Sequence, residues 1–280
     1  MRISLLVIGN GQWGDKISEL FQKWDFKISR HGARDFLGLS YKEKQQALIT
    51  DLIWIASYPD LQIQIIQEII KYKVKGTLIL EKPFFRNLKE QKEFHSMLEI
   101  SNLSIKASSP WVYSDIWLKF KQRILELNGP VKIEISRSGP LKRNMIEPHL
   151  DWLSHDVQLI SDLFTCDVTI TEVQNQFNLK DSSTKEFRLK LSNGSLVELR
   201  GGYTETRISL WRIQDSNGYS CTINFVSKAL EFFSESEGLV HSYQSPQGDE
   251  PLLNMINHYY HEPKNKKSDK DFRWQQILIQ

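Results

Sequence analysis

Cysteine is scarce: Cys166 and Cys221 are the only two among 280 residues, and they stand far apart. This excludes a disulfide framework and a paired-cysteine zinc site, and a reduced, cytoplasmic setting is the default expectation. Long apolar runs are also missing. The opening "MRISLLVIGNG" holds only five or six apolar residues before glycine interrupts it, too few for a signal-peptide core or a membrane span. No membrane partner is expected. Excess charge of one sign is lacking as well: 36 Lys and Arg face 34 Asp and Glu, a net charge of +2. A nucleic-acid binder shows a basic face or a far more basic balance, and the one basic cluster, "PKNKK" at 263–267, reads as a solvated loop. No nucleic-acid partner is expected. There is no repeat, low-complexity tract, phosphate-cradling P-loop or nucleophile elbow. The histidines of "HYYH" (258–261) have no supporting ligand cluster and read as packing or surface, so no metal is expected.

What remains is ordinary globular composition, 40% hydrophobic and 25% charged, in a chain long enough for about two domains. In the first 110 residues two periods alternate. "ISLLVIG" (3–9), "DFKIS" (25–29), "DLIWIAS" (51–57), "GTLILEKP" (76–83) and "LSIKASS" (103–109) are short apolar strands. Between them, Trp13, Ile17, Leu20, Phe21 and Trp24, and then Ile63, Ile66, Ile69 and Ile70, recur at helical spacing. Strand and helix in this rhythm predict a parallel sheet covered on both faces. The second half reads differently. Strand-like runs occur at 131–138, 168–177, 186–192, 195–203, 207–214 and 219–225, with "SNG" at 192–194 and 216–218 as hairpin turns. One helix is predicted at about 147–164. The fold class is therefore α/β: a Rossmann doubly wound parallel sheet over 1–109, then an α+β domain over 110–280 with an open-faced, largely antiparallel sheet. The break falls near "SSPW" (108–111). An uncovered sheet face is expected to expose an apolar patch and to favour a homodimer or homotetramer.

"GNGQWG" (Gly9, Asn10, Gly11, Gln12, Trp13, Gly14) fits G-x-G-x-x-G between a strand and an amphipathic helix. The glycines permit a tight turn and close approach of a pyrophosphate, and the helix N-terminus offers amide donors. At the end of the second strand, where NAD-specific sites carry an acid for the ribose hydroxyl, "SRHGAR" has none. It offers Ser29, Arg30, His31 and Arg34, and arginine suits a 2′-phosphate. NADP(H) is favoured, with NAD(H) as the alternative. Ser57, Tyr58 and Pro59, and Glu81 with Lys82, close two further parallel strands on the cofactor side. Pro83 ends the strand and biases Lys82 to an extended conformation where the nicotinamide would lie. In "EPHLDWLSHDVQLISDLF" (147–164), Leu150, Leu153, Val157, Ile160 and Phe164 make one apolar stripe, and Asp151, His155, Gln158 and Asp162 the adjacent polar one. Asp151 and His155, four apart, would be helical neighbours, as a carboxylate fixing a proton-transferring histidine needs.

The order of "GNGQWG", "EKP" and "DWLSHD" along nearly the whole chain resembles the Gfo/Idh/MocA oxidoreductase family. That resemblance implies a Rossmann domain followed by an open-faced α/β domain. It also implies NAD(P)-dependent hydride transfer on sugars, nucleotide sugars or inositols, with imine or tetrapyrrole reduction and non-catalytic nucleotide-binding regulators as alternatives within it. Lys82 then matches the family's catalytic lysine, and Asp151 and His155 its D-x-x-x-H pair. Both would meet a small-molecule substrate, with Trp111 nearby. The departures are Gln158 where an Asp often stands, Leu153 in place of a glycine, and "SYPDLQ" (57–62) without a histidine.

Overall fold

The computed structural model describes residues 2–72, 74–100, 103–124, 129–140, 147–164, 167–177, 184–248, 250–261, 272 and 274–279. "PKNKK" and Cys166 thus lie outside the described residues. The chain divides into two compact units, Met1–Ser108 with Ile256–Gln280, and Ser109–Met255.

The first unit is a parallel sheet in the order β2-β1-β3-β4-β5, built from β1 (Ser4–Ile8), β2 (Lys27–His31), β3 (Leu52–Ile55), β4 (Thr77–Leu80) and β5 (Ser104–Ala107). Every residue of β3, β4 and β5 is buried, which is why these strands read as continuous apolar runs rather than alternations. The helices are α1 (Gln12–Lys23), α2 (Ala33–Gly38), α3 (Tyr41–Ala47), α4 (Pro59–Ile70) and α5 (Leu88–Ile100). α1 buries Ile17 and Phe21. α3 begins at a Ser40–Glu43 capping box. The sequence reading assigns everything after 109 to the second domain. Here the C-terminal stretch returns to the first unit, because Phe272 is fully buried edge-on to Phe94 (4.8 Å) and Phe84 (5.2 Å). An aromatic cluster assembled from such distant positions has no local signature.

The second unit holds α6 (Asp115–Ile124), β6 (Lys132–Gly139), α7 (Pro148–Trp152), α8 (Ser154–Leu163) and seven more strands. These are β7 (Ile170–Phe177), β8 (Thr184–Leu191), β9 (Leu196–Tyr203), β10 (Ile208–Gln214), β11 (Tyr219–Asn224), β12 (Ala229–Ser234) and β13 (Gly238–Gln244). α9 (Pro251–His261) carries the chain from this unit back to the first. The eight-stranded sheet has the order β13-β12-β11-β10-β6-β9-β8-β7, antiparallel except for β6 beside β9. Both "SNG" stretches make the expected hairpins, with Gly194 and Gly218 at φ +84 and +80. β12 and β13 are additional to the predicted strands. Six of the seven β13 residues are exposed, so that edge strand carries no inside–outside alternation to read.

Two expectations are corrected. The open face across β6, β8 and β9 is charged, not apolar: Arg188 pairs with Glu198 (2.8 Å) and Arg200 with Glu186 (3.3 Å). And the single helix at 147–164 is two, broken at Leu153, so Asp151 and His155 stand on different helices. The cause is close packing. Leu153 is fully buried against Gly201 of β9, where an added Cβ would lie 2.4 Å from the Leu153 Cγ. The elbow sits lower on the sheet than any larger residue at 201 allows.

Gly201→Ala should therefore lower stability by about 1–3 kcal/mol through overpacking, and Leu153→Ala by about 2–5 kcal/mol through a cavity. In urea unfolding the double variant should lose clearly less than the sum, since the two changes relieve each other. Strict additivity would show that the contact does not set the elbow.

Candidate functional site

In the first unit, parallel strands bring the predicted residues to one sheet edge, because their C-terminal ends all face the same way. The turn after β1 is held by Gly9 N–H to the His31 carbonyl (2.8 Å) and by Ala56 N–H to the Ile8 carbonyl (2.9 Å). Gly9 has φ +151, and a Cβ there would lie 2.3 Å from the Ala56 oxygen; one on Gly14 would lie 2.4 Å from the Gly9 oxygen. Gly11, by contrast, faces open space, and as N-cap of α1 it supplies no side-chain cap. The first-turn amides of α1 are thus left for an external anion. Ser57 Oγ, just beyond the end of β3, is buried and has no hydrogen-bond partner among the described residues. The turn, the uncapped helix and this hydroxyl fit a dinucleotide whose pyrophosphate rests on α1.

Arg30, which the sequence offers for a 2′-phosphate, lies against the glycine turn. Its Nε donates to the Gly9 carbonyl (2.9 Å) and its Nη1 pairs with Asp15, so it braces the glycine turn. Arg34 stands exposed on α2. Asp35, one residue beyond the stretch read for an acid, turns its carboxylate back toward Gly32, close to the Asn10 amide. It occupies the third position of a helix whose N-cap is Gly32, where a carboxylate reaches back naturally.

Glu81 and Lys82 follow β4 directly. Glu81 is buried, its N–H donates to the Ile55 carbonyl (3.1 Å), and its Oε1 accepts from Trp54 Nε1 (3.0 Å). Burial raises its carboxyl above the usual range, against hydrogen bonds and the neighbouring Lys82 charge. Gln62, which belongs to no sequence motif, donates from Nε2 to both the Ser57 and Glu81 carbonyls (2.8 Å each) and ties the ends of β3 and β4 together. Lys82 is partly exposed, and the Lys82–Pro83 peptide is cis.

In the second unit, the predicted apolar stripe of α7 and α8 is buried throughout, and so are Asp151 and Gln158. His155 is the one residue from 149 to 161 that is not. Asp162 accepts from Trp117 Nε1 (2.7 Å) and pairs with Lys121 (2.8 Å), which makes it a structural member of the stripe. The sequence reading missed the role of Asp156. It is fully buried, 2.5 Å from Arg137 Nε of β6, and accepts from Trp211 Nε1 of β10 (2.7 Å). Burial raises its carboxyl and the Arg137 charge opposes that. Trp111 lies in a 3₁₀ turn (Pro110–Tyr113), with the Arg137 guanidinium 6.0 Å from its ring. Lys82 belongs to one unit and Asp151, His155 and Trp111 to the other. Among the described residues no three His, Cys, Asp or Glu group to hold a metal ion, and no helix is long and apolar enough to cross a membrane.

No protein-family model matches the chain, and no curated protein matches its sequence. Solved structures do match in fold. A UDP-N-acetylglucosamine 3-dehydrogenase from Acidithiobacillus ferrooxidans superposes with a TM-score of 0.75 at 15% identity, over 99% of this chain and 95% of its own. A 3-ketoreductase from Actinomadura kijaniata, solved with TDP-benzene and NADP, gives 0.73 at 11% identity over 99% and 96%. A myo-inositol 2-dehydrogenase from Lactobacillus plantarum gives 0.70 at 16% identity over 99% and 95%. At these identities the likeness is one of fold.

Because the folded protein holds the Glu81 proton more tightly than the unfolded chain does, this group's contribution to stability is full below its ordinary pKa of 4.5 and falls as pH rises through the raised value. Glu81→Gln, which keeps a carbonyl acceptor for Trp54, should gain stability relative to the parent as pH climbs past 4.5. Urea unfolding across a pH series measures it, and a pH-independent difference would refute the buried, proton-holding carboxyl.

Proposed function

We propose that this chain is a nicotinamide-dependent oxidoreductase that prefers NADPH to NADH. Its reaction moves a hydride between the cofactor and a carbonyl or carbinol carbon of a sugar-like or nucleotide-sugar substrate. The observation that carries this reading is the sheet edge of the first unit, where the glycine turn, the uncapped α1, Ser57 and Lys82 all end. The fold shared with two dehydrogenases and an NADP-bound ketoreductase supports it, as does the order of the three motifs.

When bound, the nicotinamide supplies or takes up the hydride. Lys82 donates a hydrogen bond to the reacting substrate oxygen and stabilises the negative charge that grows there. His155 exchanges the proton at that oxygen, as general acid in reduction and general base in oxidation. Asp151 sets the histidine's tautomer, and Trp111 contributes to substrate binding. The protein acts as a homodimer or homotetramer, and the alternating charges on the β6–β8–β9 face suit a self-complementary contact.

A second cofactor reading has one observation in its favour. The Asp35 carboxylate beside Gly32 and Asn10 stands near the end of β2, where a ribose hydroxyl would be bound in an NADH-specific site. The two readings separate by mutation. If NADPH is preferred, Arg34→Ala should weaken it by roughly ten- to a hundredfold while hardly touching NADH, and Asp35→Asn should strengthen it. Fluorescence titration decides, and parent protein that binds NADH as well as NADPH would sink the preference. For the chemistry, Lys82→Ala should leave cofactor affinity intact and slow single-turnover hydride transfer by about 10²–10³, with His155→Ala losing a similar factor. Full activity in Lys82→Ala would remove "EKP" from the mechanism.

A further inference from the structure

Arg137 belongs to none of the roles above, and its surroundings are incomplete. It lies on β6 directly opposite Ser209 of β10, and directly opposed residues project to the same face of a sheet. That face is the covered one: Ile133 and Ile135 before Arg137, and Trp211 and Ile213 after Ser209, are all buried. Arg137 and Ser209 are themselves only 2% and 3% exposed. Asp156 meets the guanidinium at Nε. Among the described residues, however, the Arg137 Nη2 has no hydrogen-bond partner, and neither has the Ser209 hydroxyl. The groups that pack on the guanidinium, Phe225 at 5.3 Å and Trp111 at 6.0 Å, present ring faces, which attract the cation but accept no aligned N–H bond.

Charge points the same way. Arg207, two residues before Ser209, is solvent-exposed in large part, and partial desolvation and the Arg137 charge hold its pKa below the usual arginine value. Among the described residues, the acid that meets the Arg137 guanidinium is Asp156, which Trp211 Nε1 also engages. Buried donors without acceptors are costly and rare in folded proteins. Here two of them, on Arg137 and Ser209, are cross-strand neighbours, and a second guanidinium, Arg207, is close enough to feel the first.

We infer that Arg137, Ser209 and Arg207 form a receptor for an oxyanion, a phosphate or carboxylate group carried by the substrate, in the unit that also carries His155. A planar guanidinium edge with a hydroxyl beside it matches the oxygens of either group. Resting on the oxidoreductase reading, this narrows the substrate to an acid: a phosphorylated or nucleotide-linked sugar, or a sugar acid.

Isothermal titration of the full chain with inorganic phosphate, and separately with acetate, tests the receptor, with chloride at matched ionic strength as control. Trp111 and Trp211 fluorescence is a second readout, since both rings lie close to the arginine or its partner. No cofactor is present, so the result does not depend on hydride transfer, and failure of the oxidoreductase reading would show separately as absent NADPH binding. One saturable oxyanion site is expected, with Arg207→Gln and Ser209→Ala each weakening it about tenfold. Arg137→Lys keeps a cation for Asp156 but loses the fork, and should abolish binding without unfolding the chain. Stronger binding of phosphate assigns a phosphorylated substrate, and stronger binding of acetate a carboxylate. Should Arg137→Lys fail to fold, the other two variants decide. No saturable binding, or binding unchanged in both Arg207→Gln and Ser209→Ala, would overturn the inference and leave a buried water as the partner of these donors.

Discussion

A carboxylate and a guanidinium removed together from water organise the second unit. Taking either charge out of solvent alone costs several kcal/mol, so Asp156 and Arg137 are tolerable in the interior only as a pair, and only with further donors and ring faces around them. Trp211 Nε1 supplies the donor, and Phe225 and Trp111 the faces. Asp156 sits in the first turn of α8 and Arg137 on β6, so the pair fixes how that turn is rotated over the sheet. With Asp156 turned inward, His155 is left as the partly exposed residue of a buried stretch. The Leu153–Gly201 contact sets the height of the same elbow. Orientation and depth therefore come from two different forces, one Coulombic and one steric.

The first unit solves a similar problem by other means. Its strand ends hold polar groups at a buried edge chiefly through hydrogen bonds. Glu81 does so with its proton retained more tightly than in water, one indole donor and a backbone bond into the ladder. Gln62 closes the neighbouring strand end with two bonds from one amide nitrogen. Arg30, on the exposed side, is drawn onto the glycine turn by a carbonyl and by Asp15. The edge is hydrogen-bonded up to Glu81, and Lys82 beyond it keeps some exposure to solvent.

Much of this was legible in the sequence because it depends on local periodicity. Continuous apolar runs announce strands buried on both faces, "SNG" announces the hairpins, and the stripe of Leu150, Leu153, Val157, Ile160 and Phe164 announces a buried helical face. Strand β13 was not legible, because an exposed edge has no pattern to display. Nor was the break at Leu153, since every residue there is compatible with a continuous helix and the cause lies across the sheet, on β9.

The sequence by itself determined the five strands of the first unit, the glycine turn and the position of "EKP" at a strand end. These follow from spacing and from the intrinsic geometry of glycine and proline, which act within a few residues. Only the tertiary structure decided that Arg30 braces the turn, that Asp35 folds back beside Asn10, that Phe272 completes the first unit and that Asp156 is locked to Arg137. Each of those depends on which distant group arrives to satisfy a charge, a donor or an apolar face, and such partnerships form only when the chain excludes water.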